Sequence, residues 1–238
     1  MNPTRFAGLS PVFAGMIVVT LFIVITFGLL IGKPLDLGKE TSASDLDLYR
    51  QISERVHNGE GYYKVAGEEL RAMGYPVTSV FNWRLPFHAW LIGYMPNLLV
   101  VRGLLMSLTL INLLFWMSIF HKNNYSFPAT ALGSLTMSGF VVFAALPNPF
   151  LAHEIWAATF IALSLGAYGR GWTSLSVICG CAALLFRELS LPFACIMFAL
   201  ALYEKKLGES IAWFSGIAAY CTVLVLHWSV VTRLTDGN

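Results

Sequence analysis

The segment 45–49, with the sequence DLDLY, carries two carboxylates near what we predict to be the start of a helix. The positive end of a helix dipole favours anions, so both acids are expected to be ionised there. An ionised carboxylate can accept a proton from a hydroxyl group or hold a divalent cation. Asp45 and Asp47 are therefore candidate catalytic residues and candidate ligands of a divalent cation. The alternative is that Asp47 only caps the helix while Asp45 is solvated.

Three more charged groups stand beside apolar runs. Arg84 lies in the sequence NWRLP, directly before one run, and the fork of a guanidinium group suits a phosphate. Glu154 follows His153 at the start of another run, where it could supply a second acid to the same cavity. The pair Arg187-Glu188 interrupts a third run, and charges inside an apolar segment indicate a functional site. Each has a simpler alternative. Arg84 could be an interfacial anchor, Glu154 an acid that stabilises a helix dipole, and Arg187-Glu188 an internal salt bridge.

Other kinds of site are not expected from this sequence. The histidines are scattered without HxxH or HExxH spacing, and no glycine-rich phosphate loop is present. The four cysteines lie in apolar runs, where they are interpreted as small packed hydrophobes rather than as disulfide or zinc residues. The net charge of +2 comes without a basic stripe, so no nucleic-acid partner is expected.

The composition indicates a membrane protein. Hydrophobic residues make up 57% of the 238 residues, charged residues only 12%, and the mean hydropathy is +0.67. Soluble domains carry about twice that share of charge. Membrane lipid is therefore the expected surrounding of most of the surface.

The apolar runs predict an all-α, polytopic transmembrane bundle of about seven spans, forming a single domain over residues 1–238. A polar segment, 33–94, separates the first span from the second and is expected to be an extracytoplasmic loop. The N-terminus is expected in the cytoplasm and the C-terminus outside. The spans that are predicted without ambiguity are 12–31, 96–120, 127–146, 151–168 and 211–231.

The remaining run, 172–203, has two interpretations. It is either one long helix with Arg187-Glu188 at mid-depth, or two short spans joined at 187–192. The second interpretation puts the basic loop 204–206 on the cytoplasmic side and avoids a cost of about 2.5–3.5 kcal/mol for each charge in the bilayer. We therefore favour the two short spans.

Two amphipathic helices are predicted inside the polar segment. Ser44 is a typical N-cap, and Leu48, Ile52 and Val56 recur at four-residue spacing on one face. A second helix is predicted over 65–73. Each apolar stripe looks too short for a globular core, so both helices are expected to lie flat on the membrane surface.

Taken together, these motifs resemble the membrane-embedded type C glycosyltransferases, which use polyprenyl-phosphate-linked sugars as donors. Members often show an acid followed four residues later by Tyr, then Arg-x-Pro before the second span, and an Arg-Glu pair in a later apolar run. The matching segments here are DLDLY at 45–49, GEGYY at 59–63, NWRLP at 82–86, His153-Glu154, and LFREL at 185–189.

The resemblance implies a fold, a reaction and partners. It implies a seven-span module in the inner (plasma) membrane that moves a sugar from a polyprenyl-phosphate donor to a hydroxyl of a glycan or lipid acceptor, with Asp45 as general base. It implies that the donor and acceptor are held by Tyr49, Arg84, Glu154, Arg187 and Glu188. Many members have Asp-Glu where this chain has Asp45-Leu46, so either Asp47 supplies the second carboxylate or no residue does.

Members are usually longer than this chain. A minimal enzyme, a fragment and half of a split protein are therefore all consistent with the sequence. The alternative function is non-catalytic: an inactive relative, an assembly partner of a longer transferase, or a carrier of lipid-linked sugars. A transporter is less favoured because it usually places charges at mid-membrane in repeated halves, and no repeat is visible here.

Overall fold

A computed structural model describes residues 45–138 and 149–236, together with Met16. The chain divides into two compact units, Met1–Ser42 and Ala43–Asn238, and everything below concerns the second. In the described part of this unit every regular element is a helix, which confirms the all-α prediction. The predicted first span, the N-cap at Ser44 and the second half of the predicted span 127–146 lie outside the described residues.

The polar segment folds as four helices, α1 (Asp45–His57), α2 (Tyr62–Ala72), α3 (Val80–Trp83) and α4 (Phe87–Gly93). The predicted stripe of α1 is buried, and it packs with residues of α2 and α3 into one core that also takes in Val231 near the end of the chain. The prediction that these helices lie flat with their apolar stripes in the membrane is therefore wrong. Each stripe is short, but several stripes together remove enough apolar surface from water to form a core.

The described residues after the polar segment form apolar helices. They are α5 (Leu98–Lys122), α6 (Phe127–Met137), α7 (His153–Gly169), α8 (Thr173–Phe186), α9 (Leu191–Tyr203) and α10 (Leu207–Asp236), with single 3₁₀ turns at Pro149–Leu151 and Glu188–Ser190. By length and composition, two helices in the described ranges could cross a membrane, Leu98–Lys122 and Leu207–Thr235. Only 22% and 17% of their most apolar windows are buried in the protein. Their exposed apolar faces suit lipid better than water.

The chain breaks at Arg187, as the interpretation with two short helices requires. Arg187 is extended, with φ −149° and ψ 122°, and it separates α8 from the 3₁₀ turn and α9. At one end of α7, Arg187 pairs with Glu154. At the other end, Lys206, which follows α9, lies over the ring of Tyr168 at 5.7 Å. Successive helices from α7 to α9 therefore run in alternating directions along the bundle.

The longest helix, α10, joins the apolar bundle to the polar segment. Its 30 residues span about 45 Å. Near its start Trp213 is completely buried against α8, and near its end His227 lies 3.1 Å from the hydroxyl of Tyr63 in α2. One rigid element thus fixes the four polar helices above the end of the bundle at which Glu154 and Arg187 meet.

Candidate functional site

Arg84 occupies a strained position between α3 and α4. Its backbone has φ 54° and ψ 166°, a region in which a residue with a side chain costs about 1–3 kcal/mol. The buried hydroxyl of Tyr62 donates to the carbonyl oxygens of Trp83 and Arg84, the latter at 3.1 Å. Burial raises the pKa of Tyr62, so this phenol keeps its proton and stays a donor. Tyr62 thus holds the backbone that aims the Arg84 side chain.

The guanidinium of Arg84 connects α1 with the break after α8. Its Nη1 lies 2.6 Å from Oε1 of Glu188, 104 positions away in the sequence, and its Nε donates to the Tyr49 hydroxyl at 3.4 Å. The side chains of Arg84 and Glu188 are only 18% and 22% exposed. Burial raises the pKa of Tyr49, and Arg84 opposes part of that rise. A largely shielded ion pair of this kind is strongly sensitive to the removal of either partner.

Arg187 completes the ion-pair network. Its Nη2 lies 3.2 Å from Oε1 of Glu154, and its Nη1 lies 3.8 Å from Oε1 of Glu188. Within the described ranges, its buried Nε and Nη1 have no hydrogen-bond partner. The structure therefore brings Tyr49, Arg84, Glu154, Arg187 and Glu188 together in one network, and Arg187 keeps donors that a further anion could use.

Asp45 stands at the edge of this network, one helical turn before Tyr49. Its Oδ1 accepts a hydrogen bond from the hydroxyl of Tyr75, and this bond raises the pKa of Tyr75 to about 12. Tyr75 is held there by the end of α2: its N–H bonds to Leu70 O, the N–H of Gly74 bonds to Arg71 O, and Gly74 has φ +75°. The carboxylate of Asp45 is thus oriented and exposed to incoming groups.

Asp47 leaves α1 in a different direction. A helix turns by about 200° over two residues, so Asp47 and Asp45 lie on different faces, whereas Asp45 and Tyr49 share one. This geometry does not favour a divalent cation held by both aspartates. No group of three or more His, Cys, Asp or Glu side chains in the described ranges is arranged to hold a metal ion. A role for Asp47 and a role for a cation remain predictions from the sequence.

The cavity in front of Arg84 is small. Tyr49, Tyr62, Arg84 and His153 are among the residues that line it, and its free volume is about 10 Å³, close to that of one water molecule. A sugar phosphate does not fit into this conformation. Any ligand of Arg84 must either approach from the exposed side of Asp45 and Glu154 or displace a side chain of the network.

Several residues of the site were not predicted from the sequence. Tyr62 and Tyr75 orient Arg84 and Asp45. Two buried histidines, His88 and His153, pack beside the site with their ring centroids 4.0 Å apart. His153 also packs edge-on against Tyr49 at 4.4 Å. Tyr62 lies in the GEGYY segment, one of the motifs behind the family resemblance, so the sequence did contain an indication of its role. Nothing in the sequence around Tyr75 or His88 indicates these contacts.

Over residues 45–138 and 149–236 the protein is thus an all-helical fold with an arginine–carboxylate network at one end of an apolar bundle. Comparisons of the chain with protein-family models, curated proteins and solved structures gave no match. The assignment of function therefore rests on the site itself.

Proposed function

We propose that the protein is a membrane-embedded glycosyltransferase that moves a sugar from a polyprenyl-phosphate donor to a hydroxyl group of a glycan or lipid acceptor. The observation that carries this proposal is the convergence of charged motifs that are distant in sequence. Arg84, Glu154, Arg187 and Glu188 form one network at one end of an apolar bundle, beside the exposed carboxylate of Asp45. Such a site combines a candidate base with two guanidinium groups that suit a phosphate.

In the proposed reaction, the acceptor hydroxyl attacks the anomeric carbon of the donor sugar. Asp45 takes the hydroxyl proton, the bond from the anomeric carbon to the phosphate oxygen breaks, and polyprenyl phosphate leaves with the electron pair. Arg84 and Arg187 offset the negative charge that grows on that phosphate, an effect worth about 3–4 kcal/mol for a well-placed donor. A single displacement of this kind inverts the anomeric centre.

The proposed setting is the inner (plasma) membrane, crossed about seven times, with the N-terminus in the cytoplasm and the C-terminus outside. Basic residues at the end of the bundle opposite the network support this orientation, because positive charges favour the cytoplasmic side. Arg170 bonds to Ser118 there, and Lys122 and Lys206 lie at the same end. The exposed apolar faces of α5 and α10 are suited to lipid and to a prenyl chain.

A second candidate function is non-catalytic, as a carrier of lipid-linked sugars or an assembly partner. One observation favours it: Arg84 and Arg187 already have carboxylate partners, and the cavity that Arg84 lines is about 10 Å³. Ion pairs of this kind also occur where charges only hold helices together.

Replacement of Asp45 by Asn tests the transferase. The purified chain in lipid is incubated with radiolabelled polyprenyl-phosphate sugars, and transfer and donor hydrolysis are counted. We expect Asp45→Asn to lower transfer by about 100-fold or more, because a general base contributes about 10²–10⁴-fold. The matched control is Glu54→Gln, which removes an exposed acid from the same helix and should leave transfer unchanged.

Two results would contradict the proposal. Full activity of a folded Asp45→Asn variant would remove Asp45 from the mechanism. Failure of the parent chain to transfer or hydrolyse any donor, while it still binds polyprenyl phosphate, would favour the carrier instead.

A further inference from the structure

One carboxylate oxygen lies between the two arginines of the network. Oε1 of Glu188 is 2.6 Å from Nη1 of Arg84 and 3.8 Å from Nη1 of Arg187. An oxygen of a phosphate group bound by both guanidiniums would have to occupy this same place. Glu188 therefore occupies the place that such a phosphate oxygen would take.

The surroundings of Glu188 allow its side chain to leave. Glu188 begins the 3₁₀ turn directly after the extended Arg187, so no continuous helix fixes its direction. It is 22% exposed, and the next residue, Leu189, is 69% exposed. The local backbone therefore does not restrain this carboxylate in the way a helix interior would.

A second partner for the displaced carboxylate lies nearby. Tyr220 of α10 is 3% exposed, and in the part of the chain that is described its hydroxyl has no hydrogen-bond partner. Tyr220 belongs to the same buried cluster as Leu85, the neighbour of Arg84, and Leu191, which directly follows the turn that Glu188 begins, packs against this cluster. A buried hydroxyl without a partner costs about 1–3 kcal/mol, so a carboxylate that reaches it gains a hydrogen bond.

We propose that Glu188 is an internal anion that closes the site, and that a lipid-linked phosphate binds between Arg84 and Arg187 by displacing Glu188 towards Tyr220. That the phosphate is attached to a lipid rests on the proposed function, whereas the exchange of one anion for another rests on the geometry. The arginines then never lose their counter-charge, because the phosphate arrives as the carboxylate leaves. Charge balance of this kind avoids leaving a shielded guanidinium unpaired.

Removal of the Glu188 charge is expected to strengthen phosphate binding, which tests the displacement. Binding of farnesyl monophosphate, farnesol and inorganic phosphate is measured on the full chain in nanodiscs of neutral phospholipid. We expect Glu188→Gln to bind farnesyl monophosphate about tenfold more tightly than the parent, because the internal competitor has lost its charge. Binding of farnesol should not change, since it has no phosphate.

A matched control separates this effect from a change in net charge. Glu60→Gln removes the same charge from another arginine–carboxylate pair, with Glu60 2.6 Å from Arg55, and Arg55 keeps Glu68 and Glu69. It should leave the affinity for farnesyl monophosphate unchanged. Equal tightening in Glu60→Gln would assign the effect to overall charge and overturn the proposal.

Tyr220→Phe provides a second, independent variant. It keeps the Arg84–Glu188 pair but removes the hydroxyl that receives the displaced carboxylate, so we expect several-fold weaker binding of farnesyl monophosphate. Unchanged or weaker binding by Glu188→Gln would show that Glu188 supports Arg84 rather than competing with the phosphate. If Glu188→Gln does not fold, unchanged binding by Tyr220→Phe overturns the displacement on its own.

The same measurements distinguish failure of the displacement from failure of the transferase, and a lipid-linked phosphate from free phosphate. Inorganic phosphate should show the same tightening but bind the parent more weakly than farnesyl monophosphate, whereas equal affinity of the parent for both would overturn a lipid-linked occupant. Tighter binding by Glu188→Gln in a chain that transfers no sugar would refute the transferase and leave the displacement intact. Sugar transfer by the parent without tightening in the variant would refute only the displacement.

Discussion

At the scale of single residues, three structural constraints meet at Arg84. Its backbone lies at a positive φ, the buried Tyr62 holds its carbonyl oxygen, and its guanidinium is shielded against Glu188. The positive φ and the shielding of the guanidinium each have a free-energy cost that a surface arginine avoids. Their coincidence at one residue is the pattern expected where position matters more than stability.

His88 makes the stability of the polar helices depend on pH. It is buried, its Nε2 lies 3.1 Å from the carbonyl oxygen of Phe150, and burial lowers its pKa to about 4, from an ordinary value of 6.5. Between these two pH values the unfolded chain binds more protons than the folded chain. The stability that the neutral His88 contributes is therefore present above pH 6.5, and it falls as the pH drops towards 4, by up to about 1.4 kcal/mol per pH unit.

Denaturation midpoints of the parent and of His88→Gln at pH 7, 5.5 and 4.5 measure this effect. Glutamine keeps a donor for Phe150 but does not titrate, so its stability should fall less steeply with decreasing pH. Differences between the two chains cancel the contributions of groups that do not touch His88; His153 lies against it, with ring centroids 4.0 Å apart, and its contribution is coupled to that of His88. Parallel pH profiles would contradict the assignment to His88.

At the scale of elements, close packing of α8 on α10 positions the break that carries Arg187 and Glu188. Glycines make this approach feasible: a Cβ on Gly180 would meet the ring of Trp213, and a Cβ on Gly216 would meet Sγ of Cys181. Trp213 is completely buried and has no free direction in which to move. The orientation of the break therefore depends on the absence of side chains at these two positions.

Substitution of Gly180 by Ala should consequently destabilise the protein by about 1–3 kcal/mol, the usual cost of overpacking a core. Gly103→Ala is the matched control, because a Cβ there has nothing within 4 Å and the residue lies inside α5. The control should be neutral or should stabilise by about 0.5–1 kcal/mol, since Ala is the better helix former. Thermal unfolding of both variants gives the comparison, and equal melting temperatures would contradict close α8–α10 packing.

At the scale of the whole molecule, the two ends of the apolar bundle differ in chemistry. One end carries the arginine–carboxylate network beneath the polar helices, and the other carries basic residues such as Lys122, Arg170 and Lys206. If the bundle crosses a membrane, the basic end is expected in the cytoplasm. The proposed chemistry would then take place outside, where no ATP is available and a lipid-linked sugar can supply the energy.

Cysteine labelling tests this orientation. In a chain whose four native cysteines are replaced, single cysteines are introduced at two exposed sites, Glu54 in α1 and Asn123 after α5. We expect a membrane-impermeant maleimide to label the residue-54 variant in intact spheroplasts and the residue-123 variant only after lysis. The reversed result would place the network in the cytosol and would refute the proposed transferase.

What the sequence determined by itself is the longer helices of the described residues and the positions of the charged motifs along them. The break at Arg187 follows from hydropathy and loop charge. The helix beginning near Glu154 and the first two helices of the polar segment follow from hydropathy, caps and glycines, all of which act over a few residues. The short helices α3 and α4 were not predicted. Only the tertiary structure decided which charges meet, how Tyr62 and Tyr75 orient Arg84 and Asp45, and that the apolar stripes of the polar helices pack together. These contacts join residues as far as 104 positions apart, and their energy depends on burial that exists only after the helices have packed.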